Sequence, residues 1–144
     1  MKIKNTNKYL DRNFIRKATK FCRPSGISNF DLHVKNSKKD FYGRAYWDGC
    51  GYQGNYKPLV VVRIGKNKYP YICNRVKGRG YLSFTAYSRE DLFIHILAHE
   101  LRHIWQAKHK RGWRVWGSRG QFSERDADAY AIHKVREYRR GDTK

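Results

Sequence analysis

The sequence predicts an α+β domain, in which an N-terminal helix precedes a small, mostly antiparallel sheet and two further helices follow it. Three observations carry that prediction. Apolar residues recur at helical spacing near both ends of the chain, short strand-like runs broken by turn residues fill the middle, and capping patterns open two segments after residue 87. The chain is 144 residues long, the size of one domain, and no linker divides 1–144.

Taken in order, residues 7–22 place Leu10, Phe14, Ala18 and Phe21 at helical spacing, with basic residues on the other face. Pro24-Ser25-Gly26 ends that helix. Phe30, Leu32 and Val34 alternate with polar partners, and a second strand covers 41–47 before Asp48-Gly49. Leu59 to Ile64 is an apolar run closed by Gly65. Residues 69–76 and 81–86 flank Lys77-Gly78-Arg79-Gly80, which reads as a hairpin turn. Ser88, with Asp91 three residues on, is a helix cap. From there Leu92, Ile96, His99 and His103 line one stripe as far as Ala107. After a Gly-, Trp- and Arg-rich loop at 108–122, Ser123 with Asp126 repeats the cap. Glu124, Asp128, Ala131 and Val135 then share one face of the last helix.

Composition limits the function. Lys and Arg number 32 against 12 Asp and Glu, for a net charge of +20. A mean hydropathy of −0.90 would suit a disordered chain, but 40% hydrophobic and 15% aromatic residues do not. No apolar run is long enough to span a membrane, and the N-terminus lacks the apolar core of a signal peptide. Cys22, Cys50 and Cys73 form no CxxC and read as reduced thiols. A cytoplasmic or otherwise intracellular setting follows, and a virus- or mobile-element-encoded protein is compatible with it. Six of the twelve acids (Glu90, Asp91, Glu100, Glu124, Asp126 and Asp128) fall between 90 and 128. A chain that otherwise avoids carboxylates gathers them there.

The reason for that gathering lies in His99-Glu100-Leu101-Arg102-His103, an HExxH. Four residues advance a helix by about 400°, so both imidazoles point the same way and can bind one cation. Glu100 projects elsewhere, where it can reach a water at the cation without ligating it. Two half-buried histidines beside a surface glutamate are the alternative reading. For a third ligand the sequence offers Glu124, twenty-one residues past His103, and His109, at the spacing of HExxHxxGxxH. That extended motif needs a glycine where this chain has Gln106, which favours Glu124. Asp128, one turn beyond Glu124, would accept the other N–H of a ligand histidine. Asp126 is rotated away and reads as the cap partner of Ser123. His95, one turn before His99, reads as a buried or supporting histidine.

HELRH followed by SERDADAYA resembles the zincin metallopeptidases of the gluzincin type, which carry HExxH and a downstream ExxxD on a second helix. The motifs cover 88–135, and the order of elements is similar to the minimal gluzincin fold. The resemblance implies one Zn2+ held by His99, His103 and Glu124. Glu100 would be general base and then proton shuttle to the leaving amine, with Asp128 orienting a histidine. It also implies peptide-bond hydrolysis in a protein or peptide substrate lying along a sheet-edge strand, at 69–76 or 81–86. No motif supplies the residue that steadies the oxyanion, although Tyr130 and His133 are available.

The basic residues point to a second partner. Lys108, Lys110, Arg111, Arg114 and Arg119 are interleaved with Trp113 and Trp116, and Trp105 stands nearby. Cations for phosphates and rings for bases suit nucleic acid, DNA or RNA, particularly single strands. The same aromatics could instead pack the loop, and a basic surface also suits acidic proteins. SprT-like proteases, which digest proteins crosslinked to DNA, are similar in logic, but this chain lacks their downstream histidine-glycine motif. Two readings stand. One is a small zinc metallopeptidase working near nucleic acid. The other is a non-catalytic, basic nucleic-acid-binding or virion structural protein on a metallopeptidase-like fold. A structural site has no need of Glu100 beside its histidines, which favours the enzyme. The absent signal peptide disfavours a secreted, toxin-like protease.

Overall fold

In the computed structural model, residues 1–38, 41–46, 57–73, 82–109 and 121–141 are described. The chain runs β1 (Ile3–Asn5), α1 (Arg12–Cys22), β2 (Asp31–Asn36), β3 (Phe41–Tyr46), β4 (Leu59–Ile64), β5 (Tyr71–Cys73), β6 (Phe84–Ala86), α2 (Arg89–His109) and α3 (Gln121–Arg139). This is the α+β class predicted from the sequence. The main sheet is mixed, in place of the mostly antiparallel one predicted. Its order is β1-β2-β4-β3, with β2 parallel to both β1 and β4 and only β3 antiparallel. The difference arises at β1, which is too short to show a sequence period. It pairs with β2 through the α1 crossover that parallel neighbours require. β5 and β6 form a separate antiparallel pair, and the turn predicted at 77–80 lies outside the described residues.

Helix α1 starts five residues later than its apolar spacing predicts, because side chains before it capture the backbone. The Asn7 carboxamide accepts from the N–H groups of Tyr9 and Leu10 and donates to the carbonyls of Lys35 and Ile64, which uses all four of its hydrogen-bond sites. That turn and the Asp11 carboxylate, which accepts from the Phe14 N–H at 3.1 Å, set the start of the helix. Ile15, Ala18, Thr19 and Cys22 are its buried face, and Phe14 and Phe21 pack at its margins. Cys22 and Cys73 are free thiols, and burial pushes both up, Cys73 to about 12. Neither is reactive near neutral pH. Cys50 lies outside the described residues.

The core sits between one face of the main sheet and the helices. Leu32, Val34, Val60, Val62 and Ile64 are fully buried there, opposite Leu92, Phe93, Ile94 and Leu97 of α2. Helix α2 opens as predicted, with the Ser88 hydroxyl accepting from the Asp91 N–H at 3.1 Å. Asp91 is itself buried and pairs with Arg139, which ties the end of α3 to the start of α2. No helix among the described residues is long and apolar enough to cross a membrane.

One close approach fixes how α2 lies on the sheet. A Cβ on Gly43 of β3 would stand 2.4 Å from Ile96 Cγ2 and 3.2 Å from Glu100 Cγ. Both neighbours are buried side chains with little room to yield. Gly43→Ala is expected to lower stability by about 1–3 kcal/mol, the usual cost of overpacking, as read by urea unfolding. An unchanged midpoint would show that the strand and helix can separate freely.

Candidate metal centre

The site is built where α2 faces the first turns of α3. Helical spacing turns His99 and His103 to the same side, with their rings edge to face at 84° and their Nε2 atoms 3.1 Å apart. From α3, Glu124 sets Oε1 2.9 Å from His103 Nε2 and Oε2 3.4 Å from His99 Nε2. Glu100 Oε1 lies 3.7 Å from His99 Nε2. One ligand atom from each of His99, Glu100 and His103 falls within 4.8 Å of the others. All of these groups are buried or half-buried.

The second nitrogen of each imidazole determines what the site can hold. His99 Nδ1 lies 2.7 Å from Asp128 Oδ1, a carboxylate that can only accept. His103 Nδ1 lies 2.7 Å from Gln106 Oε1. The Gln106 amide is oriented by its own donors, since Nε2 donates to the Ser123 carbonyl and to Asp126 Oδ2, each at 2.9 Å. Both Nδ1 atoms therefore carry hydrogen, and both Nε2 atoms point at one spot beside the Glu124 carboxylate. That arrangement favours a cation among the three groups, either a proton on an imidazole or a metal ion in its place. Two nitrogens bound tetrahedrally at zinc distances of 2.0–2.1 Å stand about 3.3 Å apart, close to the separation found. Two neutral imidazoles and one carboxylate fit a divalent ion and leave the site at a net charge of +1.

Proton affinities carry the same sign. Burial works against a charged His99, but hydrogen bonds to Asp128 and Glu124 and the charge of Glu100 outweigh it and raise His99 to about 10. Burial would raise Glu124 as well, yet hydrogen bonds and charge from His103 and His99 hold it well below the usual carboxylate range. Burial dominates at Glu100, which is raised. It also dominates at His95, which is pushed down to about 3 and stays neutral. The His95 ring stacks flat on Phe84 at 4.1 Å, with Nε2 3.9 Å from Asp128 Oδ1.

Several residues take places that the sequence does not reveal. His109 stays at the exposed end of α2, stacked on Trp105 and beside Gly26, so it is not brought to the cluster. Helix α2 runs through Gln106 as its sequence implies, but the residue is also buried and orients His103. The signal for this was its position one turn beyond a histidine. Ser123 lies inside α3 and does not cap it. Its hydroxyl donates to Gln106 Oε1 at 2.9 Å, because the helix begins at Gln121. Asp126 is correspondingly no cap partner and takes the Arg102 guanidinium at 2.8 and 3.2 Å. The Tyr130 hydroxyl donates to the Cys22 carbonyl and His133 pairs with Glu137, so the polar groups of both are engaged away from the cluster. Lys108 Nζ donates to the Gly26 carbonyl. Lys110, Arg111, Trp113, Arg114, Trp116 and Arg119 lie outside the described residues.

Comparison of the chain with protein-family models, with curated proteins and with solved structures gave no match. What the site does must be argued from its own geometry.

Titration with Zn2+ is expected to give one ion per chain. Asp128→Ala and Gln106→Leu should each weaken it by about 10- to 100-fold, as measured by competition with a chromophoric chelator. Glu124→Ala should weaken it further, and His109→Ala should leave it unchanged. A loss on His109→Ala matching that of Glu124→Ala would reverse the choice between them.

Proposed function

We propose that the chain is a zinc-dependent metallopeptidase, with His99, His103 and Glu124 holding the ion and Glu100 acting as general base. One observation carries this reading. The Glu100 carboxylate is buried beside the convergent imidazoles, yet it makes no hydrogen bond among the described residues. The imidazole of His99 stands 3.7 Å from that carboxylate, and burial raises the carboxylate's proton affinity, the setting a general base needs. Asp91 and Asp128, which are more deeply buried, are answered by hydrogen bonds, from Arg139 and from the Leu82 N–H and His99 respectively.

When bound, zinc supplies Lewis acidity that activates water and polarises a carbonyl. The protein's residues supply the rest. Glu100, its proton affinity raised by burial, takes a proton from the attacking water and returns it to the departing amine. Asp128 and Gln106 hold the two imidazoles in the tautomer that keeps Nε2 free. Gly43, with no side chain, leaves the space that the Glu100 side chain occupies. The substrate class is an unfolded protein or peptide segment. The edge pair β5–β6 lies next to the site through the bond from the Leu82 N–H to Asp128 Oδ2 at 2.8 Å.

Glu100→Gln is expected to keep one zinc per chain and to lower hydrolysis of an unfolded protein substrate by about 10²- to 10⁴-fold, the usual share of a general base. Metal analysis beside a protease assay measures both. Zinc-loaded wild type without hydrolytic activity, or a Glu100→Gln variant with full activity, would overturn the reading.

A further inference from the structure

The face of the main sheet turned away from the helices carries chemistry that the metal centre does not use. Leu32, Val34, Val60, Val62 and Gly43 lie under the helices, so their strand neighbours point to the opposite side. The strand register sets those neighbours in rows. Lys4, His33, Val61 and Arg44 form one row across all four strands, and Lys35, Arg63 and Tyr42 form the next. Tyr42 is 39% exposed, unusual for a large ring; Arg44 is exposed near it on β3, and Lys4 is exposed at the far edge of the sheet on β1. The Arg44 guanidinium lies 5.3 Å from the ring centre of Tyr46.

The charge on this face is one-sided. Among the described residues its only carboxylate is Asp31, one row further on, which pairs with Lys57 at 3.0 Å and accepts from the Lys2 N–H at 2.9 Å. Leu59, in that same row, is buried and bounds the patch. Lys35 stands directly opposite Arg63, whose guanidinium donates to the Asn36 carbonyl at 3.3 Å, and two like charges so placed would gain from an anion bound near them. Burial first, and then the charges of Lys35 and Lys4, push down the basicity of His33.

We infer that this open face docks single-stranded nucleic acid, with Tyr42 stacking on an unpaired base and Lys4, Lys35, Arg44 and Arg63 meeting the phosphates. A ring set among cations is the recurring chemistry of single-strand binding, and an acidic protein would make no use of the ring as a stacking platform. Stacking selects single strands over duplex, because the faces of paired bases are already covered by their neighbours in the helix and only an unpaired base can lie on the Tyr42 ring. Helix α1 is the natural contrast. Arg12, Arg16, Lys17, Lys20 and Arg23 are exposed on it, but Phe14 and Phe21 turn inward and leave it no ring to offer. No metal-centre residue lies on the docking face, so the inference stands apart from the hydrolytic reading.

Fluorescence anisotropy of a labelled 20-nucleotide oligo(dT) with the intact chain tests it. Tyr42→Ala is expected to weaken binding about ten-fold or more, and Tyr42→Phe to retain it, because the ring and not the hydroxyl makes the contact. Lys35→Gln combined with Arg63→Gln should reduce the slope of log affinity against log salt by about 1.4, or about 0.7 per phosphate contact. Arg16→Gln combined with Lys20→Gln removes the same charge from α1 and should change affinity less than two-fold. Three results would each overturn the inference: equal weakening by the α1 pair, unchanged binding by Tyr42→Ala, or equally effective competition by a 20-base-pair duplex or by polyglutamate.

Discussion

Asp128 is 1% exposed, and a carboxylate so far from water must have its charge met by the groups around it. The donors come from two other parts of the chain. His99 Nδ1–H of α2 donates to Oδ1, and the backbone N–H of Leu82, just before β6, donates to Oδ2. One side chain on α3 thereby joins the helix that bears the HExxH to the β5–β6 pair. Removing it would leave a buried imidazole without its acceptor and a backbone N–H without its partner, so the position of α3 and the tautomer of His99 are set together.

The two histidines are held by different chemistry. His99 leans on a carboxylate, and His103 on the neutral amide of Gln106. The charge behind that amide sits one bond further out, on Asp126, which the Arg102 guanidinium also clamps. Arg102 in turn lies 3.7 Å over the Trp105 ring. The second ligand is thus fixed by a polar network in which each member's hydrogen bonds determine the orientation of the next. A carboxylate at both positions would add a second buried negative charge beside Glu124 and Glu100, and the amide avoids that.

The positive charge and the carboxylates are segregated by the fold. Strand β3 divides them, because successive side chains point to opposite faces. Gly43 lies against Glu100, while Tyr42 and Arg44 on either side of it project from the opposite face. Among the described residues, many cations of this chain of net charge +20 lie on α1 and the outer sheet face, while Arg102 and Arg139 pair with Asp126 and Asp91.

What was legible in the sequence was local and periodic. Helical spacing put His99 and His103 on one side, Ser88 with Asp91 marked the start of α2, and the Leu59–Ile64 run coincides with β4. The spacing of Glu124 and Asp128 also placed them on one face of the last helix. Tertiary structure alone decided the rest. The parallel pairing of β1, the insertion of β4 between β2 and β3, the turn of Gln106 and Ser123 toward His103, and the alignment of Lys35, Arg63 and Tyr42 in one row all depend on which segments become neighbours. A period of 3.6 or 2 tells a residue which way to face. It does not tell it what it will meet there, because strand order and helix packing are set by the burial of the whole core.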